Sequence, residues 1–188
     1  MARFIQRVGK MELELSDADG FGALVRSIMY QQLAGAAATA ILGRFMKLFA
    51  EGLAPEAVLA LPAGAMRAAG VSGSKEAAIT DLARKVADGT VPLHDVHALS
   101  DDDLKSRLVQ VRGIGPWTAE MFLIFQLRRL DVWPVDDYGV RKGWTLIHRK
   151  RELIKPKDLK AAGERFRPYR TIAAWYCWRA VESIVLPT

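Results

Sequence analysis

The chain has one cysteine, Cys177, in 188 residues. A single thiol closes no disulfide framework and supplies neither a Cys-rich zinc site nor a four-cysteine iron–sulfur cluster. The three histidines, His94, His97 and His148, lack ligand spacing with the cysteine or with any acid pair, so no catalytic metal is expected. No apolar run approaches the roughly 18 residues of a membrane span. The opening MARFIQRVGK lacks the apolar core of a secretory signal. These absences predict an intracellular protein with no membrane partner: cytoplasmic and nucleoid-associated in a bacterium, or nuclear in a eukaryote. Acids are in deficit as well. Twenty-one Asp and Glu face 27 Lys and Arg, a net charge of +6, and the pI is near 9.6. That balance points to an acidic partner, nucleic acid first.

Convincing period-2 alternation is also missing, and what is present reads as helix after helix. With 51% hydrophobic residues the chain can build one compact domain or two small lobes sharing a cleft. Asp17 or Asp19 can cap a helix through residues 21–31. Ile41, Phe45, Leu48 and Phe49 share a helical face in the next segment. Short helices are expected after Pro55 and Pro62. Ile79, Leu82 and Val86 line one face of a helix that stops at Gly89, and Ser100 with Asp103 resembles a capping box. Three further helices are expected over residues 138–149, 156–167 and 169–185. The fold class is therefore all-α.

Residues 108–137, LVQVRGIGPWTAEMFLIFQLRRLDVWPVDD, carry the strongest signal. Gly113 and Gly115 can take positive φ cheaply and admit a phosphate to the backbone. Ile114 between them should point inward and anchor the turn. Pro116 suits a helix start, whose free N–H groups attract anions. A helix from Pro116 to about Leu130 would run roughly 22 Å. The segment 131–136, at most about 20 Å extended, can bring Asp136 and Asp137 most of the way back. Two adjacent acids oppose a polyanion unless they serve something else. One of them is expected to cap the helix from Tyr138.

The pattern L-x-x-V-x-G-I-G-x-x-T-A over residues 108–119 resembles the helix–hairpin–helix of DNA-repair proteins. With P-x-D-D-Y some twenty residues later, it is similar to the helix–hairpin–helix/Gly-Pro-Asp superfamily of DNA glycosylases, nearest to the 3-methyladenine DNA glycosylase II branch. Residues 25–41, 68–83 and 167–179 resemble further segments of that family, so the likeness runs from about Asp19 to Arg179. No counterpart of the bacterial enzyme's β-rich N-terminal domain is expected. The resemblance implies a single domain with two helical subdomains and a DNA-binding cleft between them. One subdomain would take about residues 20–130, with the hairpin at 108–119; the other would take about 1–19 plus 131–188.

The implied activity is that of a monofunctional N-glycosylase in base excision repair, a monomer that flips alkylated purines out of double-stranded DNA and leaves an abasic site. The family's catalytic aspartate falls on Asp137, with Asp136 as the alternative and otherwise a structural or capping partner. The lysine nucleophile of strand-cleaving members is replaced by Trp117, which forms no Schiff base. Trp117, Tyr138 and Trp178 match base-pocket aromatics. Their faces would add about 0.5–2 kcal/mol of cation–π attraction toward a cationic alkylated base. Met121 stands where the bacterial enzyme has tyrosine, which leaves hypoxanthine, ethenoadenine or uracil as alternative substrates. Gln32, with Leu33 beside it, matches the residue that fills the gap left by the flipped base. Arg112, Gly113, Ile114, Gly115 and Thr118 match the hairpin contacts, where a monovalent cation can bridge backbone and phosphate; no other cofactor is implied. Ser72, Gly73 and Lys75 are candidates on a second strand segment, and Arg141, Lys142 and Arg170 are weaker basic candidates. A reading of another class is a non-catalytic DNA-damage binder on the same fold.

Overall fold

The computed structural model describes residues 1–12 and 19–185, and among these there is no strand. Asp17 lies outside the described residues. The helices are α1 (Ala2–Val8), α2 (Gly20–Tyr30), α3 (Gly35–Met46), α4 (Pro55–Leu59), α5 (Ala65–Ala68), α6 (Gly73–Ala87), α7 (Asp101–Leu108), α8 (Pro116–Met121), α9 (Tyr138–Ile147), α10 (Pro156–Gly163) and α11 (Arg170–Val185). None is long and apolar enough to cross a membrane. The chain divides into two units, Ser16–Phe122 and Met1–Leu15 with Leu123–Thr188.

Local chemistry sets most helix ends. Asp19 caps α2 through a 2.5 Å bond from the Gly22 N–H. Ser100 caps α7 by accepting from the Asp103 N–H at 3.1 Å. Its hydroxyl also donates to the Asp103 carboxylate at 2.6 Å, so the acid accepts from the cap's hydroxyl where the usual capping box has it accept from the cap's backbone N–H. α6 ends at Ala87 with Asp88 as its C-cap, and Gly89 follows at φ +80°, the left-handed exit that glycine makes cheap.

The middle unit, Ser16–Phe122, has a core in which Leu24, Val25, Ile28 and Met29 of α2 are fully buried with Phe45, Ile79, Leu82, Leu104 and Leu108. Burial of each such side chain contributes about 1.5–3 kcal/mol before entropy is counted. α6 packs against both α2 and α4. In the other unit α9 lies on α11, around a core of Trp133, Val140, Trp144, Leu159, Ala173, Ala174 and Cys177. Two glycines permit the close approaches there. A Cβ on Gly143 would lie 1.8 Å from the Cys177 carbonyl oxygen, and one on Gly163 would lie 2.2 Å from Trp133 Nε1. That indole N–H donates to the Leu159 carbonyl at 2.9 Å. α1, which the sequence did not announce, is held at its C-terminal end by the Tyr176 hydroxyl, 2.7 Å from the Gly9 carbonyl.

One expected element is corrected. The helix after the hairpin does not run to Leu130: α8 ends at Met121 and widens into a π turn over Phe122–Gln126. Four consecutive large apolar residues, 122–125, exceed the apolar stripe of a 3.6-residue helix. Phe122, Leu123 and Ile124 are all buried. The turn is closed by the Arg129 N–H to the Leu123 carbonyl at 2.9 Å, after Arg128 turns left-handed at φ +58°.

Candidate functional site

The hairpin belongs to the middle unit. Val111 and Ile114 are buried and hold its base, joined by the Ile114 N–H to the Val111 carbonyl at 3.0 Å. Ile114 thus points inward between the glycines. Gly113 has φ +80°, and a Cβ there would press to 3.3 Å from the Cβ of Ala78, so both conformation and space call for glycine. Gly115 is the N-cap of α8. Two residues outside the sequence-derived set tie the hairpin down. The Arg112 N–H donates to Asp81 Oδ2 at 2.8 Å, and Gln31 Nε2 donates to the Gly113 carbonyl at 2.9 Å. The QQ pair singles out Gln31 and Gln32 equally. The Asp81–Lys85 spacing reads only as a helical surface pair.

Trp117 on α8 is 49% exposed, and Thr118 beside it is buried. Met121 is half-buried at the end of α8, where the π turn begins. Gln32 and Leu33 are exposed at the α2–α3 turn, Gln32 with φ +56°. Ser72 caps α6, and Gly73 opens it in the exposed stretch 72–74. Lys75 turns its ammonium to the Met29 carbonyl at 2.6 Å, and burial holds its pKa below the ordinary lysine value.

The acid belongs to the other unit. Asp137 is 8% exposed and is itself the N-cap of α9, its Oδ1 accepting from the Val140 N–H at 2.7 Å. The capping role expected for Asp136 is thereby corrected: Asp136 is exposed, one residue too early for the cap. Tertiary packing brings Trp178, 41 residues away, to donate its Nε1–H to the same Oδ1 at 2.9 Å. Gly139 makes room, since a Cβ there would lie 2.7 Å from Trp178 Cδ1. Phe125 stacks on the Trp178 indole at 5.7 Å between centroids and fixes its plane. Tyr138, beside the acid, is 64% exposed. A buried carboxylate held by two donors next to an exposed ring can meet a developing positive charge on a group seated against it.

Two of the basic candidates are engaged internally. Arg170 is turned onto Asp131, Nε to Oδ1 at 2.7 Å and Nη2 to Oδ2 at 3.0 Å. This corrects its expected place on the DNA surface, because a partly buried guanidinium in a two-toothed pair has little left for phosphate. Burial works to raise the Asp131 carboxyl, but the hydrogen bonds and charge of Arg170 outweigh it and hold it below the ordinary carboxylate value. Arg141 donates to the Ile154 carbonyl at 2.9 Å. Lys142 is half-buried and Arg112 exposed. Cys177 is buried, and burial pushes its thiol up to about 12, so it is not a nucleophile at neutral pH.

An all-helical chain with a buried-isoleucine Gly-x-Gly hairpin and a capped, indole-held aspartate defines a class of helix–hairpin–helix nucleic-acid proteins. Residues 25–168 match the family described as "HhH-GPD superfamily base excision DNA repair protein". The chain therefore belongs to the HhH-GPD superfamily of base excision DNA repair proteins. It is similar to DNA-3-methyladenine glycosylase 1 of Schizosaccharomyces pombe, 34% identical over 94% of this chain and 80% of that one. Among solved structures it resembles the S. pombe 3-methyladenine DNA glycosylase in complex with abasic DNA, with a TM-score of 0.81, 32% identity, and coverage of 100% of this chain and 93% of that one. It also resembles a DNA-3-methyladenine glycosidase from Bacillus halodurans, with a TM-score of 0.91, 34% identity, and coverage of 98% and 85%.

Proposed function

We propose that this protein is a monofunctional DNA glycosylase of base excision repair that removes alkylated purines of the 3-methyladenine type from duplex DNA. The observation that carries the reading is Asp137, a nearly buried carboxylate anchored by the Val140 and Trp178 N–H groups in a chain of this family. An alkylated purine is already cationic. When its N-glycosidic bond breaks, the bonding pair leaves with the base and neutralises it, so no acid is needed for the leaving group. Asp137 stabilises the oxocarbenium-like sugar, and water adds to C1′ with its proton passing to the carboxylate or to solvent. Tyr138, beside the acid, offers an exposed face to a flipped base and favours a cationic one. Since Trp117 stands where strand-cleaving relatives carry lysine, no Schiff base forms and the product is an abasic site.

Gly113 and Gly115 grip phosphate through backbone N–H groups, with Arg112 adding charge, while Gln32 and Leu33 occupy the gap left by the base. Ser72 and Gly73 contact a second strand segment. Of the hairpin carbonyls, that of Gly113 accepts from Gln31 and that of Val111 from the Ile114 N–H, so a bridging monovalent cation would use remaining lone pairs. The reading requires none. The protein acts as a monomer where the chromosome is.

The test is base release from duplexes carrying 3-methyladenine, 7-methylguanine, ethenoadenine or hypoxanthine, compared side by side. Asp137→Asn should lower single-turnover release about 100-fold or more while binding abasic DNA as the wild type does, and Asp136→Asn should keep most of the rate. Full activity in Asp137→Asn, or release of none of the four bases by the wild type, would sink the proposal.

A further inference from the structure

We propose that Asp81 and Gln31 are positioning residues that suspend the hairpin from two helices and fix the direction of the N–H groups offered to a DNA phosphate. The inference rests on the reading of the hairpin as a phosphate grip given above. The hairpin's own bonds, Val111 N–H to the Leu108 carbonyl and Ile114 N–H to the Val111 carbonyl, both 3.0 Å, close the turn. They leave the Arg112 N–H and the Gly113 carbonyl to other partners. Asp81, from the middle of α6, takes the first at 2.8 Å. Gln31, at the end of α2, takes the second at 2.9 Å.

The consequence follows from peptide planarity. The Arg112 N–H belongs to the 111–112 peptide and the Gly113 carbonyl to the 113–114 peptide, so both of these planes are held by side chains. Between them lies the 112–113 peptide, which carries the Gly113 N–H, and next to them the 114–115 peptide, which carries the Gly115 N–H. Among the described residues these two N–H groups make no hydrogen bond. Glycine at 113 has wide torsional freedom. Without the two ties its N–H would sample many directions, and ordering it would weaken binding.

A carboxylate beside a phosphate site needs a reason, because by charge alone it repels DNA. Lys85 answers that cost: its Nζ lies 2.8 and 2.7 Å from the two Asp81 oxygens. Burial tends to raise the Asp81 carboxyl, but the Arg112 N–H and the Lys85 ammonium outweigh it and keep it below the ordinary carboxylate value. The group is thus an ionised acceptor with its charge locally balanced.

The sign of one measurement decides the matter. If Asp81 acts only through charge, removing it tightens DNA binding. If it positions the hairpin, Asp81→Ala weakens binding, whereas Asp81→Asn, which keeps an acceptor oxygen, does not. Affinity for a fluorescein-labelled undamaged duplex should fall about tenfold in Asp81→Ala and in Gln31→Ala, and stay within about twofold of wild type in Asp81→Asn. In Asp81→Ala the KM for damaged duplex should rise while single-turnover release at saturating enzyme is unchanged, with the melting temperature followed to confirm folding. Equal or tighter binding by a folded Asp81→Ala overturns the proposal, as does equal weakening by Asp81→Asn. Binding to undamaged DNA is read without any base release, so an error in the assigned reaction would not imitate either result.

Discussion

Asp137 Oδ1 accepts from both Val140 and Trp178, and this double use shows how a single residue is made specific. The cap bond is local and any aspartate at a helix start can form it. The indole bond is not local, and it sets the rotation of the carboxylate about its own side chain. On the proposed mechanism that rotation matters, since the carboxylate must face the sugar. Trp178→Phe keeps a ring to stack on Phe125 and deletes the N–H. Single-turnover base release should drop about tenfold, the usual scale for a hydrogen bond to a charged group, with abasic-DNA affinity unchanged. Unchanged release would show that the indole bond does not orient the acid. The sequence read Trp178 as a pocket aromatic, and nothing in its spacing suggested that it also holds the acid. Asp136 shows the reverse: a motif of two adjacent acids gives no register, and only the observed cap separates them.

At the scale of elements, the α9–α11 contact positions Asp137 and Trp178 together. It depends on Gly143, where any Cβ would overlap the Cys177 carbonyl. That neighbour is backbone and cannot rotate away. Gly143→Ala should therefore separate the two helices, lowering stability by about 3 kcal/mol or more and the unfolding midpoint by roughly 10 °C, as differential scanning calorimetry would register. A midpoint within a degree of wild type would mean the helices slide apart at little cost. Helix existence was legible from apolar spacing and from punctuation by proline, glycine and capping residues. Helix ends were legible where a side chain makes them, as at Asp19 and Ser100. The exit from α8 was not, because it follows from how many large side chains the interior accepts at 122–125, and α1 was not, because its ordering comes from Tyr176 and the rest of its unit.

At the scale of the whole molecule, the +6 charge predicts an affinity for undamaged duplex that falls as salt rises, each neutralised phosphate adding about −0.9 to the log–log slope. The fold distributes that charge unevenly, leaving Arg112 exposed and turning Arg170 onto Asp131. Arg112→Ala should reduce the slope by about 1. Arg170→Ala should leave the slope alone and instead destabilise the fold by about 2 kcal/mol, since Asp131 loses its main partner. Salt titrations and melting curves on the same two variants would separate these effects, and a changed slope in Arg170→Ala would return that residue to the DNA surface. The sequence by itself determined the all-α class, the basic charge and hence an acidic partner, the hairpin and the family, because these rest on residue type at short spacing, where backbone torsion and helical period act locally, and on net charge. Only the tertiary structure decided that Trp178 holds Asp137, that Arg170 is turned into an ion pair with Asp131, and that Asp81 and Gln31 tie down the hairpin. Those facts join residues 31 to 82 positions apart, and contacts at such distances depend on how the helices pack, which no local pattern encodes.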